Sequence, residues 1–209
     1  MPVNLADAQW LSINGYRHLC FISWADRSGP QIRDTALACK EELERILAKS
    51  ELPKRVFFDK GTLPAGIQWE PALAEAVCSS LCLIPFCCNS YYQSEYCGME
   101  FATMDHFGTE RLGGDHRLII PVKCWGAQPP PIIGRFQGLD IAHNLSSPDR
   151  AFRSKRWFRT LISQLARAID ENAERLASAR KAADCIAPTL KSNPFEPIPP
   201  QIKLPFQSP

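Results

Sequence analysis

The sequence predicts an α/β fold in which helices cover both faces of a parallel sheet. Short apolar runs alternate with segments whose apolar residues recur at helical spacing. The run SLCLIPFCC, residues 80–88, is continuously apolar, which is typical of a parallel strand buried on both faces. Connections between the segments are short, which favours parallel strands joined by crossover helices. Four to five strands in about 140 residues indicate a flavodoxin-like, doubly wound sheet.

Each element follows from a local pattern. Strands are predicted where short apolar runs meet turn signals, over residues 17–24, 55–59, 80–88 and 117–124, with a short edge strand over 136–142. Helical spacing predicts helices over residues 31–49, 69–79 and 89–106. AQPPPIIG, residues 127–134, is predicted to be a rigid loop. A long C-terminal helix is predicted to begin at Ser147-Pro148-Asp149, and its apolar stripe starts at Phe158.

These patterns divide the chain into an N-terminal extension over residues 1–14, a domain over 15–183 and a Pro-rich tail over 184–209. Seven prolines in the last 24 residues exclude a regular helix there. The same segment contains Phe195, Ile198 and Phe206, so it is too apolar for a solvated linker. Two alternatives follow: the tail packs on its own domain, or it binds a partner.

Composition limits the possible functions. The 209 residues are 45% hydrophobic and carry a net charge of +2, so direct nucleic-acid binding is not expected. No apolar run is long enough to span a bilayer, and MPVNLADAQW lacks the features of a signal peptide. We expect a cytoplasmic protein without a membrane partner. The nine cysteines lack CxxC spacing and are predicted to be reduced, buried apolar residues.

Three unusual loops follow predicted strands. They are Trp24–Gly29, Lys60–Gln68 and Asn89–Glu100. Ligands of doubly wound sheets bind beyond the carboxyl ends of the strands. We therefore expect these three loops to converge on one rim of the sheet and to form the binding site.

Three sequence blocks carry a resemblance to a known family. They are FISWADRSG (21–29), VFFDKGTLPAGIQWEPALAEAV (56–77) and SLCLIPFCCNSYYQSEYCGMEF (80–101). The first resembles the opening F-I-S-Y strand of the TIR (Toll/interleukin-1 receptor) domain family. The second is similar to its D-x-x-x-L-x-x-G loop, here Asp59, Leu63 and Gly66. The third resembles its S-x-W-C-x-x-E helix, with Ser94 and Glu100 at its ends.

The resemblance implies that Glu100 is the catalytic residue of an enzyme that cleaves NAD+. Nicotinamide would be released together with ADP-ribose or a cyclic ADP-ribose isomer. The blocks look most like bacterial TIR proteins of antiphage defence. NAD+ would be the substrate, with no cofactor, and the four histidines show no metal-binding spacing.

Further residues of the three blocks are candidates for substrate binding. They are Ser23, Trp24, Arg27, Ser28, Lys60, Leu63 and Tyr96. An indole can stack on a base or on nicotinamide, and a guanidinium can bind a pyrophosphate. Lys60 and Leu63 belong to a loop that could gate the pocket. Alternatively, Trp24 caps the core and Arg27 is a surface charge. Tyr96 replaces the tryptophan that the family usually has.

Two other functions stay open. A TIR interaction module without turnover would assemble signalling complexes, and a nucleotide sensor would bind NAD+ without cleaving it. The resemblance also implies a homo-oligomer formed through TIR–TIR contacts and activated by assembly. A separate sensor or effector protein would then supply the trigger or respond to the product.

Overall fold

The computed structural model describes residues 3–58, 68–126, 128–145 and 151–195. Five strands are found in these ranges: β1 (His18–Ser23), β2 (Arg55–Phe58), β3 (Leu83–Cys87), β4 (Val122–Lys123) and β5 (Leu139–Asp140). The helices are α1 (Leu5–Ile13), α2 (Pro30–Leu47), α3 (Trp69–Cys78), α4 (Asn89–Tyr92), α5 (Glu95–Leu112), α6 (Pro131–Gly134), α7 (Ala142–Leu145) and α8 (Arg156–Ala179).

The five strands form one parallel sheet in the order β2-β1-β3-β4-β5. Phe21 on the interior strand β1 is in register with Phe57 of β2 and Leu83 of β3. Val122 of β4 is in register with Phe86 of β3 and Leu139 of β5. This order and the helices on both faces confirm the predicted α/β, doubly wound fold.

The sheet is buried because its central strands are apolar on both faces. All five residues of β3 are buried, as are the last five of β1. Strand β4 is shorter than the predicted strand 117–124, although Ile119 still forms a bridge to Leu83. Pro121 explains the interruption, since proline has no N–H to donate to a neighbouring strand.

The predictions for the start of the C-terminal helix and for the loop over 127–134 are wrong. Helix α8 begins at Arg156, after a 3-10 turn over Phe152–Ser154, and the predicted start at 147–149 lies outside the described residues. Lys155 is extended, with ψ of 148°, so the helix cannot run through it. The predicted apolar stripe of α8 is nevertheless buried, from Phe158 to Leu176. The predicted rigid loop over 127–134 contains the short helix α6.

Helix α1 lies within the predicted N-terminal extension and packs against α8. Ala8 and Leu11 of α1 are fully buried in the common core. The side chain of Asn4 caps the helix by accepting a hydrogen bond from the Asp7 N–H at 2.9 Å. This segment is therefore joined to the domain by its apolar face.

The first part of the tail returns to its own domain. Ala183 and Phe195 are buried, and the Ala183 N–H donates to the Asn14 carbonyl at 2.9 Å. The tail therefore packs on its own domain as far as residue 195, which was the first of the two alternatives. The remaining fourteen residues of the predicted tail, 196–209, lie outside the described part of the chain.

The prediction that every cysteine is reduced is wrong for one pair. Cys78, at the end of α3, and Cys185, in the tail, form a disulfide. The returning tail brings Cys185 against α3, a long-range contact that cysteine spacing cannot reveal. The other seven cysteines are free and buried, as predicted.

Candidate functional site

Glu100 lies on the second turn of α5, near the carboxyl ends of β1 and β3. Helix α5 begins at Glu95 because the Ser94 side chain accepts a hydrogen bond from the Cys97 N–H at 3.4 Å. Ser94 also separates α5 from α4, so the helix that was predicted from Asn89 to about His106, with a loop-like start, is two helices, and α5 extends to Leu112. The Glu100 side chain is directed into the protein, and only 3% of the residue is exposed.

The hydroxyl of Ser23, the last residue of β1, donates a hydrogen bond to the Glu100 carboxylate. Ser23 is itself fully buried. A hydrogen bond to a carboxylate is stronger than one between neutral groups, so Ser23 fixes the orientation of Glu100. The structure thus brings together two of the predicted site residues, from two different blocks of the sequence.

Tyr91 of α4 is a third member of this buried cluster, and the sequence analysis missed it. Its hydroxyl lies 3.2 Å from the Ser23 hydroxyl and donates to the Cys97 carbonyl at 3.3 Å. Burial raises the pKa of Tyr91 well above its usual value, and the nearby thiols and the Glu100 carboxylate raise it further. Tyr91 therefore remains a protonated hydrogen-bond donor at neutral pH. The only sequence signal was the aromatic pair YY within the third block.

Trp24 follows Ser23 and stacks on Phe58 of β2, with ring centroids 6.0 Å apart. The side chain is half-buried, and its indole Nε1 is buried without a hydrogen-bond partner among the described residues. The position at the end of β1 fits the alternative that Trp24 caps the core. The unpartnered N–H is also a donor that a ligand could use.

Arg27 and Ser28 connect the loop after β1 to the loop after β3. The Ser90 hydroxyl donates to the Arg27 carbonyl at 3.0 Å, and the Ser28 Oγ lies 3.2 Å from the Cys88 Sγ. Ser28 is buried, whereas Arg27 is exposed. Two of the three predicted loops therefore converge at this rim. Their contact with a substrate stays a prediction.

Of the remaining predicted residues, one is partly exposed at the protein surface and two lie outside the described residues. Tyr96 is 40% exposed and contacts Trp69 edge-to-face, with centroids 4.2 Å apart. Trp69 is the first residue of α3, just after the proposed gating loop. Lys60 and Leu63 lie outside the described residues.

The described ranges contain no group of three or more His, Cys, Asp or Glu side chains placed to hold a metal ion. Two cavities lie away from Glu100. One of about 610 Å³ is lined by His116, Phe136 and Asn172, and another of about 410 Å³ by Asp140 and Trp157.

Helices of the described ranges are all too short or too polar to cross a membrane. No match to a curated protein or to a solved structure was found. The family model of the TIR domain matches residues 20–157, about two thirds of the chain. The matched region contains Glu100 and the whole sheet except the first two residues of β1, His18 and Leu19. The chain therefore belongs to the TIR domain family.

Proposed function

We propose that the protein is an NAD+ glycohydrolase of the TIR type. The observation that carries the proposal is the buried Glu100 carboxylate, held by the Ser23 hydroxyl at the carboxyl end of the sheet. Ligands of doubly wound sheets bind at this end. Glu100 also stands where the third block resembles the catalytic glutamate of NAD-cleaving relatives.

One carboxylate is sufficient for this chemistry. Cleavage of the nicotinamide–ribose bond leaves an oxocarbenium-like ribose, and the bonding electrons depart with nicotinamide. Ordinary glycosidases need a second carboxyl group to protonate the leaving group. The nicotinamide of NAD+ already carries a positive charge and leaves neutral, so no general acid is needed. Glu100 would stabilise the developing cation by its charge.

The second product depends on what reaches the ribosyl cation. Addition of water gives ADP-ribose and releases a proton, whereas attack by another atom of the same molecule gives a cyclic isomer. The sheltered position of Glu100 favours a site in which entry of water is restricted. We propose that the enzyme releases either ADP-ribose or a cyclic isomer. We also propose that it acts in antiphage defence and is activated by self-association.

The test is incubation with NAD+ at high protein concentration, with products identified by mass. Glu100→Gln removes the charge and keeps the size of the side chain, and it should abolish nicotinamide release. Glu95→Gln is the matched control, since Glu95 is an exposed carboxylate in the first turn of the same helix. It should retain full activity. Equal activity of the two variants would refute the catalytic role of Glu100.

A TIR interaction module is the second candidate, and one observation favours it. Glu100 is 3% exposed and hydrogen-bonded to Ser23, as a structural carboxylate that joins α5 to β1 would be. In that case the wild type would release no nicotinamide at any concentration. Glu100→Gln would then lower the unfolding temperature without any enzymatic effect.

A further inference from the structure

We propose that residues 181–195, here called the strap, position the cluster of Glu100, Ser23 and Tyr91. The strap lies outside the part of the chain that the TIR family model matches, residues 20–157. It nevertheless contacts both helices that carry the cluster. Phe195 and Asn193 would be positioning residues, since neither contacts the Glu100 carboxylate by a described hydrogen bond. This inference rests on the proposed function.

The first half of the strap is anchored to three separate helices. The Ala183 carbonyl accepts a hydrogen bond from the Arg111 guanidinium of α5 at 2.5 Å, and the Ala183 N–H donates to Asn14 after α1. The Cys78–Cys185 disulfide attaches the strap to α3. These contacts fix the beginning of the strap, and with it the direction in which the chain runs toward the candidate site.

The second half of the strap follows α5 toward Glu100. The Lys191 N–H donates to Thr103 Oγ1 at 2.8 Å, and Thr103 is fully buried one turn after Glu100. Asn193 then sits directly against Gly98, two residues before Glu100. A Cβ atom at position 98 would lie 1.8 Å from the Asn193 Oδ1, so only glycine permits this approach.

Phe195 completes the contact with the cluster. Its ring centroid lies 6.0 Å from that of Tyr91, 6.1 Å from Tyr92 and 5.5 Å from Phe101. Phe195 is 5% exposed, so its ring fills a site formed by α4 and α5. The Asn193 Oδ1 accepts the Phe195 N–H at 2.8 Å and fixes the turn that presents this ring.

Within the cluster, Tyr91 is the member that contacts the strap, and its hydroxyl lies beside Ser23. Its hydroxyl is fixed near Ser23 and Cys97, and its ring is covered by Phe195. Truncation of Phe195 would leave a cavity beside Tyr91 and allow the ring to move. A small displacement of Tyr91 would weaken the contact of its hydroxyl with Ser23, the residue that donates to Glu100. Misplacement of catalytic groups by about 1 Å costs up to a hundredfold in rate.

The first experiment compares Phe195→Ala with Ile186→Ala, a control at an 88% exposed position of the same strap. We expect Phe195→Ala to lower kcat on the order of tenfold with KM unchanged, and Phe195→Leu to restore most of it. Hydrogen exchange of amides 97–101 should accelerate in Phe195→Ala alone. Activity and exchange equal to those of Ile186→Ala would overturn the inference.

A second experiment uses the close approach at Gly98. Gly98→Ala should lower kcat although alanine is the better helix former, because its methyl group would displace Asn193. Asn193→Ala should itself lower kcat, because it removes the acceptor of the Phe195 N–H. It also removes the side-chain atoms that the methyl group meets, so the double variant should lose no more activity than Asn193→Ala alone. A double variant in which the two losses multiply would contradict the proposed contact.

The exchange measurement also separates this inference from the proposed function. A wild type that releases no nicotinamide would refute the proposed function, while faster exchange of amides 97–101 in Phe195→Ala would still support the strap. An active wild type with unchanged exchange and kcat in Phe195→Ala would refute the strap alone.

Discussion

Ser23 joins the sheet to the candidate catalytic residue. Its hydroxyl donates to Glu100 from the end of β1, and it is buried among apolar residues where water cannot replace it. Without this donor, the Glu100 carboxylate loses a hydrogen bond and is freer to rotate. A hydrogen bond to a charged group typically contributes roughly 1.5–3 kcal/mol of free energy, and this contribution is lost when the donor is removed.

We therefore predict that Ser23→Ala lowers kcat for nicotinamide release by about 10- to 100-fold. The variant should fold, because alanine fills nearly the same volume at the end of a buried strand. Steady-state kinetics would measure the change, with Ser178→Ala on the exposed side of α8 as control. Equal kcat values for the two variants would show that Ser23 does not support catalysis.

Asp105, on the second half of α5, forms a second polar cluster with His116, which follows this helix, and with Arg135, which follows α6. The His116 Nε2–H donates to the Asp105 carboxylate at 2.8 Å, and Arg135 pairs with the same oxygen. Burial alone would raise the pKa of Asp105, but the His116 hydrogen bond and the Arg135 charge outweigh it and lower the pKa. The cluster thus stabilises the ionised form of Asp105.

A lowered pKa predicts how the stability of the cluster depends on pH. The stabilisation is complete above the unfolded-state pKa of about 3.9 and is lost as pH falls through the folded-state value. Asp105→Asn should cost about 1 kcal/mol at neutral pH, and the difference from wild type should shrink below about pH 4. Urea unfolding at several pH values would measure this. The exposed Asp34→Asn is the control, and a difference that does not change with pH would contradict the prediction.

At the scale of single residues, the sequence indicated part of the candidate site. The proximity of Ser23 and Glu100 could be expected because both belong to blocks next to strand ends, and the structure brings them into contact. Tyr91 could not, because its role depends on the short helix α4, which turns its ring toward Ser23. The two loops could be expected to meet, whereas the particular atoms that meet depend on packing.

Between elements, Arg111 connects helix α5 to α3 and to the strap. Its guanidinium is 6% exposed and donates to the carbonyls of Cys78 and Ala183. The same group lies over the rings of Tyr16 and Phe107, at 5.3 and 4.9 Å from their centroids. A buried arginine in this position holds three segments together through backbone groups that have few alternatives.

Arg111→Met should therefore lower the free energy of unfolding by roughly 2–3 kcal/mol. Methionine keeps much of the apolar length but leaves two buried carbonyl groups without this donor. Denaturant unfolding would measure the loss, and Arg167→Met, on an 82% exposed side chain of α8, is the matched control. A loss no larger than that of Arg167→Met would show that the carbonyl contacts contribute little.

The Cys78–Cys185 disulfide should also stabilise the fold. It closes a loop with a sequence separation of 107 residues, and cross-links of this length typically contribute about 2–4 kcal/mol by restricting the unfolded chain. A dithiol reductant should lower the unfolding temperature of the wild type to that of Cys185→Ser. The variant itself should not respond to the reductant. Identical unfolding temperatures of oxidised wild type and Cys185→Ser would contradict a stabilising role.

Element boundaries were predictable where periodicity is strong and unreliable where it is weak. The strands β1 and β3 and the helix α2 follow from their own apolar patterns. The start of α8 was misplaced because Ser147-Pro148 resembles a helix cap, whereas the helix begins after Lys155 without a side-chain cap. Such a start is stabilised by packing of Phe158 and its neighbours, which no local signal records.

For the whole molecule, the region that matches the TIR family model can be distinguished from the segments outside the match. Residues 20–157 contain the candidate site and all of the sheet except the first two residues of β1. Helix α1, most of α8 and the strap lie outside the match. The sequence left the fate of the tail open because the surface that receives Phe195 is built from two helices. The composition of the tail indicated that its apolar side chains must be buried. It could not indicate which surface of the protein would cover them.

Self-association offers a reason why a buried Glu100 could still turn over substrate. The carboxylate is 3% exposed in the single chain, so the ribose of NAD+ can reach it only in a more open conformation. TIR domains commonly self-associate, and contacts that bind the open conformation better would raise its population. Activity per molecule should then depend on how much of the protein is assembled.

We predict that the specific activity of the wild type rises with protein concentration. At a fixed low concentration of wild type, added Glu100→Gln protein should also raise the rate, because the variant lacks turnover but retains its surface. An equal amount of an unrelated protein is the control for crowding. A rate strictly proportional to wild-type concentration and unaffected by Glu100→Gln would mean that the single chain opens its own site, and that assembly plays no part in activation.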